Sequence, residues 1–171
     1  MTQTQINNWL KQEVEAYTRH AATFGEAAFF AQPHAEKWSV AQHTQHLIQA
    51  SAGVAGALRD PALLKTQFGT TDKPGEDVEA IKNRYLQVLT NLKASGKFPY
   101  RHIETEGDQQ TLLGGFGIVN QKLADRLAAL SEAEMDTLQM PHPVLGLMRV
   151  REMAIFIAYH IRHHLNIVEK Y

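Results

Sequence analysis

A chain of 171 residues with seventeen basic and eighteen acidic side chains, no cysteine and no block of like charge rules out several functions at once. It has no thiolate nucleophile, thiol metal cage or disulfide framework, and it lacks the electrostatic footprint of a nucleic-acid binder. The length fits a single domain, 1–171, and with no run of about eighteen apolar residues and a polar start lacking a signal-peptide core, the expectation is a soluble, cytoplasmic protein with neither nucleic-acid nor membrane partner.

From Gln5 to Phe30, Ile6, Leu10, Val14, Tyr17 and Ala21 recur at three- and four-residue steps, which predicts a first helix that ends before Gly25 or bends there. Gln32-Pro33-His34 breaks the pattern, because proline has no amide hydrogen to donate. Ser39 followed by Gln42 reads as a capping box opening a second helix that runs to Leu58. Its apolar stripe is Val40, Leu47, Ser51, Val54 and Leu58, with Ala50, Gly53 and Ala57 as a small-residue strip beside it. Trp38, just ahead of the cap, is read as a core anchor.

Asp60-Pro61 reads as a stop, and residues 60–75, with Pro61, Gly69, Pro74 and Gly75, as a loop. A third helix is expected from Glu76 to Ala94 on the face of Val78, Ile81, Tyr85, Val88, Leu89 and Leu92. Residues 96–110 are polar and irregular, with extended backbone expected around Tyr100–Ile103. Leu112-Leu113-Gly114-Gly115-Phe116-Gly117 lacks the Lys-Ser/Thr of a phosphate loop and reads as a flexible approach to helix four, which starts near Leu112 or Ile118, runs to Leu130 and carries Ile118, Leu123, Leu127 and Leu130 inward. Ser131-Glu132-Ala133-Glu134 opens a short helical turn, and Pro141 to Gly146 forms a rigid connection to a fifth helix starting near Leu147 or Arg149. No strand pattern stands out, so the fold class is all-α, a helical bundle.

The last helix holds His160, His163 and His164 among Ile155, Phe156, Ile157, Ile161, Leu165 and Val168. At about 100° per residue, His160 and His164 stack one turn apart, His164 within the apolar stripe of Val150, Met153, Ile157, Ile161 and Val168 and His160 flanking it, whereas His163 turns toward Glu152 and Tyr159. Two imidazoles at i and i+4 form half of a metal site, and a metal would satisfy one nitrogen of each buried ring. A third ligand is needed. Helix two offers both His43 and His46, and helix geometry leaves the choice between them open.

Trp38-Ser39 followed by His46-Leu47, then His142-Pro143-Val144-Leu145-Gly146, Arg151-Glu152 and His160-x-x-x-His164 with its doubled His163-His164, resembles the DinB-like family, in particular its YfiT-type metal-dependent members. The resemblance implies a DinB-like four-helix bundle, here with an accessory helix and a long connecting loop, the helix at 76–94 being the accessory element. It implies a divalent ion, zinc or nickel, held by His46, His160 and His164, and a homodimer. Members of the family join low-molecular-mass thiols to electrophiles or isomerise with a thiol, while many have no known reaction. Where the family places Ser or Thr at the start of the last helix, this chain has Leu147-Met148-Arg149, so that cap is missing.

Three neutral ligands would leave the ion its full double charge, enough to acidify water or a thiol to near neutrality. The implied function is a metal-dependent hydrolase or thiol S-transferase acting on a small-molecule substrate, with a non-catalytic metal-binding or stress-response bundle as the alternative. No carboxylate is marked as a general base; Glu36, Glu104, Glu106 and Glu152 are weighed for it. His43, Tyr159, His163 and Tyr100 are candidates to flank the ligands.

Overall fold

Helix ends in this chain are written by short polar side chains that accept from the otherwise orphaned amides of the first turn. The computed structural model describes residues 1–96 and 102–171; Tyr100 and the start of the expected extended stretch lie outside the described residues. In chain order the elements are α1 (Gln3–Ala21), α2 (Glu26–Phe30), α3 (Val40–Ala57), α4 (Pro61–Phe68), α5 (Val78–Ala94), α6 (Gln109–Ala128), α7 (Glu132–Thr137), β1 (Gln139–His142), β2 (Gly146–Arg149) and α8 (Val150–Val168). Thr2, Ser39, Asp60, Asp77, Asp108 and Ser131 each accept from the amide three residues on. The boxes at Ser39/Gln42 and Ser131/Glu134 form as the sequence predicts.

The four long helices α1, α3, α6 and α8 form the bundle: α1 packs against α6 and α8, and α3 packs against the same two. Its interior is built from the periodic apolar faces, with Ile6, Leu10 and Tyr17 of α1, Leu47 of α3, Phe116, Leu123 and Leu127 of α6, and Ile157, Ile161 and Val168 of α8 all buried. Tyr17 and Phe116 meet with ring centroids 5.2 Å apart at the centre. Each such side chain contributes roughly 1.5–3 kcal/mol by leaving water, so the bundle does not depend on any ligand for its core. α5 lies outside, against α8, as the accessory helix.

Several expectations are corrected. Residues 60–75 are not all loop, because Asp60 and Pro61 start a helix: the aspartate accepts from Leu63 N, and proline at the first helical position lacks an amide that would be unbonded there anyway. The first helix ends at Ala21, before Gly25 as one of the two expected outcomes has it; what was not foreseen is that Glu26–Phe30 forms a separate short helix. The glycine run is no flexible approach, since α6 starts at Gln109 and Gly114, Gly115 and Gly117 lie inside it. Ile118 does not point inward; it is 73% exposed, because the core face of α6 passes through Phe116, Asn120 and Leu123 and puts position 118 on the far side.

The missing strands are β1 and β2, an antiparallel hairpin pairing Gln139 with Arg149 and His142 with Gly146. Pro143, Val144 and Leu145 make its turn, which Gly146 closes at φ +75°, a backbone region that costs glycine little. His142 holds the turn from within: its Nδ1 accepts from Val144 N at 3.2 Å and Leu145 N at 3.1 Å. The last helix does not want for a cap either. Glu152 reaches back so that one carboxylate oxygen accepts from Arg149 N at 2.9 Å and the other from Glu76 N at 2.9 Å.

Candidate metal centre

α3 and α8 bring three imidazoles to one point. His46 on α3 and His160 and His164 on α8 offer nitrogens that all lie within 4.8 Å of one another. His46 Nε2 is 3.2 Å from His160 Nε2, and His164 Nε2 is 3.0 Å from it. Two imidazole nitrogens about 2.05 Å from one tetrahedral ion stand about 3.3 Å apart, so these separations are close to those of a shared ion. Among the described residues this is the group of three or more ligand-type side chains that converges, and no carboxylate joins it.

Hydrogen bonding within the protein cannot satisfy the cluster. A neutral imidazole has one donor and one acceptor nitrogen. If His160 Nε2 carries a proton it can donate to one neighbour and has no lone pair with which to accept from the other; if it does not, both neighbours compete for one lone pair. His160 Nδ1 is in addition buried without a hydrogen-bond partner, although buried polar atoms are normally paired. A cation at the convergence point removes the conflict among the three Nε2 atoms, so the donor set fits a divalent ion.

Electrostatics keep the rings in the form that ligates. Burial first, then repulsion from neighbouring histidines, pushes His46 down to about 4 and His160 and His164 well below the usual imidazole range. Neutral rings with free lone pairs are therefore present at pH 7. His160 and His164 are buried, while His46 and Trp38 keep partial exposure, so the approach to the cluster is on their side.

The surroundings distribute the remaining candidates. Trp38 is no core anchor: it is half-buried and lies over the histidines, 5.0 Å from the His46 ring and stacked at 6.1 Å on His164. His43 is buried beside the cluster on the outer edge of His164, Nδ1 to Nδ1 at 2.7 Å, with its Nε2 2.9 Å from Tyr171 Oη. His163 presents its edge to His164 at 5.4 Å and to Tyr85 at 5.9 Å. The Tyr159 ring lies against those of Tyr85 and His163, one ring removed from the three nitrogens. The hairpin also bears on the site, because His142 meets Phe156 edge-on at 4.4 Å and Phe156 stacks on His160 at 5.1 Å.

Glu152 is excluded as a general base by its occupation, both oxygens being held by backbone amides. Glu104 sits by His102 in the loop at 90% exposure. Tyr171 was not singled out from sequence: it stands three residues beyond the end of α8, where helical period no longer assigns a face, so no spacing signal marked it.

The scaffold and the histidines now meet a family description: residues 10–168 match the DinB superfamily, nearly the whole chain. The chain belongs to the DinB superfamily. It is also similar to the uncharacterized protein YuaE of Bacillus subtilis (strain 168), 25% identical over 137 residues that cover 78% of this chain and 76% of that one. Within the DinB superfamily bundle, His46, His160 and His164 are the group that can hold a metal ion. No helix among the described residues is long and apolar enough to cross a membrane.

Proposed function

We propose that this DinB superfamily member is a metal-dependent enzyme in which His46, His160 and His164 hold one divalent ion, zinc or nickel, and activate a nucleophile on a small molecule. The observation that carries this reading is the convergence of three neutral imidazoles with Nε2 atoms 3.0 and 3.2 Å apart, at a point where one atom, His160 Nε2, faces both of the others. When bound, such an ion supplies Lewis acidity, which makes a nucleophile of water or a low-molecular-mass thiol at neutral pH.

The residues of the chain divide the remaining work. Burial of His160 and His164 excludes water from one side, and the half-exposed flank of His46 and Trp38 admits the substrate. The indole of Trp38 gives that entrance an apolar wall, suited to the carbon skeleton of an electrophile. With no cysteine in the chain, a thiol reaction uses a thiol that arrives as substrate, and the reaction class is then S-transfer; with water the class is hydrolysis. The active form is a homodimer.

The test is elemental analysis of untagged protein purified without chelators, for the native sequence and for His46→Ala, His164→Ala and His163→Ala. One equivalent of a divalent metal in the native protein and in His163→Ala, with none in the other two, is the expected result. Metal retained in His164→Ala, or lost only from His163→Ala, would overturn the ligand set. Assays of the metal-loaded protein with small thiols and an activated aryl halide, against ester hydrolysis without thiol, separate the two reaction classes.

A further inference from the structure

We propose that His43 is a positioning residue for His164, fixing which of its nitrogens is free to ligate, and that Tyr171 closes the chain by fixing His43. The inference rests on the three-histidine metal reading and adds two residues to it. Its basis is an unbroken line of contacts on the side of His164 away from the cluster: Nδ1 of His164 lies 2.7 Å from Nδ1 of His43, and Nε2 of His43 lies 2.9 Å from Tyr171 Oη.

Proton accounting along that line leaves one arrangement when His164 ligates. Its Nε2 faces His160, so Nε2 must offer a lone pair and the single proton of the neutral ring resides on Nδ1. That Nδ1–H donates to His43 Nδ1, which is then the acceptor. His43 carries its own proton on Nε2 and donates it to the oxygen of Tyr171. Each ring nitrogen has one role, and no proton is gained or lost. The opposite sense, Tyr171 donating to His43 and His43 to His164, leaves a hydrogen on His164 Nε2 and blocks ligation there.

His43 cannot be a fourth ligand in this geometry, because it contacts the outer edge of the His164 ring while the convergence point is on the inner one. The α3 backbone sets that division of labour. His43 and His46 lie three residues apart, on neighbouring faces of one helix, so a single helix supplies a ligand to the centre and a support to another ligand. His160 differs from His164, its Nδ1 being buried without a partner; the support is specific to one ligand. Partners of the outer nitrogen orient a ligating imidazole and raise its basicity, and losing one costs roughly 10- to 100-fold in metal affinity.

The experiment combines competition between the protein and a chromophoric chelator for Zn²⁺ with ¹⁵N spectra of the histidine rings in the Zn²⁺-loaded protein. His43→Leu is expected to bind Zn²⁺ roughly 10- to 100-fold more weakly, His43→Gln to recover part of the loss because its amide oxygen can accept from His164, and Tyr171→Phe to lose less than His43→Leu. In the loaded native protein the spectra should place the proton of His43 on Nε2 and that of His164 on Nδ1. Equal Zn²⁺ affinity in His43→Leu, or a proton on Nδ1 of His43, would overturn the positioning role while leaving the three-histidine centre standing. Failure of the native protein to bind one Zn²⁺ would instead overturn the centre, and the positioning role with it.

Discussion

Two buried polar groups sit at similar depth on opposite sides of α3, and they are finished differently. On the side toward α6, Ser51 donates to Asn120 Oδ1 at 2.9 Å and Asn120 donates onward to Phe116 O at 2.9 Å, so the pair closes on itself. On the side toward α8, the three imidazoles converge with their acceptors opposed and one nitrogen of His160 unpartnered. Burial alone does not separate the two, since Ser51, Asn120, His160 and His164 are all at most 5% exposed. Closure does: a polar group satisfied within the protein is part of the packing, whereas one whose nitrogens crowd a single acceptor or donor marks a place built for something else.

The comparison breaks most sharply if apolar replacement has the same effect on both sides. His160→Leu should weaken Zn²⁺ binding by more than about 100-fold, the loss of one ligand among three or four that together supply on the order of 10 kcal/mol or more. It should also abolish the rise in thermal midpoint that a native-state ligand produces. Without metal the same variant should be as stable as the native protein or more so, because it removes a buried imidazole whose Nδ1 has no partner. A His160→Leu protein that is strongly destabilised without metal would place the imidazole in the packing after all.

Glu152→Ala comes next. It removes acceptors from the amides of Arg149 and Glu76, and hydrogen bonds to a charged group contribute about 1.5–3 kcal/mol each where buried. Urea denaturation should show a loss of about 2–3 kcal/mol with Zn²⁺ affinity unchanged; a fall in turnover without a fall in stability would return this carboxylate to the chemistry. Asn120→Leu should lose about 1–2 kcal/mol by stranding the hydroxyl of Ser51, the sign opposite to His160→Leu. Denaturation of the two variants side by side checks it.

Much of this contrast was legible in the sequence, and the parts that were not have physical reasons. The stripe of Val40, Leu47, Ser51, Val54 and Leu58 and the pair His160/His164 followed from helical period, and all of them are buried where expected. The identity of the third convergent histidine did not follow, because period fixes a face but not the rotation and height of α3 against α8, which the whole core decides. Asp60-Pro61 was ambiguous in principle, since an Asp-Pro pair can follow the end of one helix or start the next; here α3 has already ended at Ala57, and Asp60 caps α4 with Pro61 in its first turn. The hairpin was hidden because four-residue strands carry too few alternations, and one of them contains Pro141. Trp38 was misplaced because a large apolar ring at a helix start serves equally well as a core filler or as a cover for a neighbouring site.

The smallest effect concerns a third polar group that, like the Ser51–Asn120 pair, closes on itself, but at the surface. Arg151 binds Asp136 through Nε at 2.6 Å and Glu132 through Nη2 at 2.6 Å, and also donates to Met1 O at 2.8 Å. The hydrogen bond from Arg151 holds the carboxyl of Asp136 below its usual range, and the same guanidinium does so for Glu132. A carboxyl lowered in the folded state binds fewer protons there than when unfolded, so its contribution is fully present above its ordinary value near 4 and is lost as pH falls below it. Because Asp136 is 46% exposed, solvent screening limits the Asp136–Arg151 pair to less than about 1 kcal/mol. Arg151→Met should therefore lower the urea midpoint slightly at pH 7, by an amount that shrinks progressively as pH falls below about 4 and in high salt, with no change in Zn²⁺ affinity. A penalty that does not shrink with acid or salt would mean that Arg151 acts through the packing of α8 and the carbonyl of Met1, and that self-closure at this end of the bundle is not electrostatic.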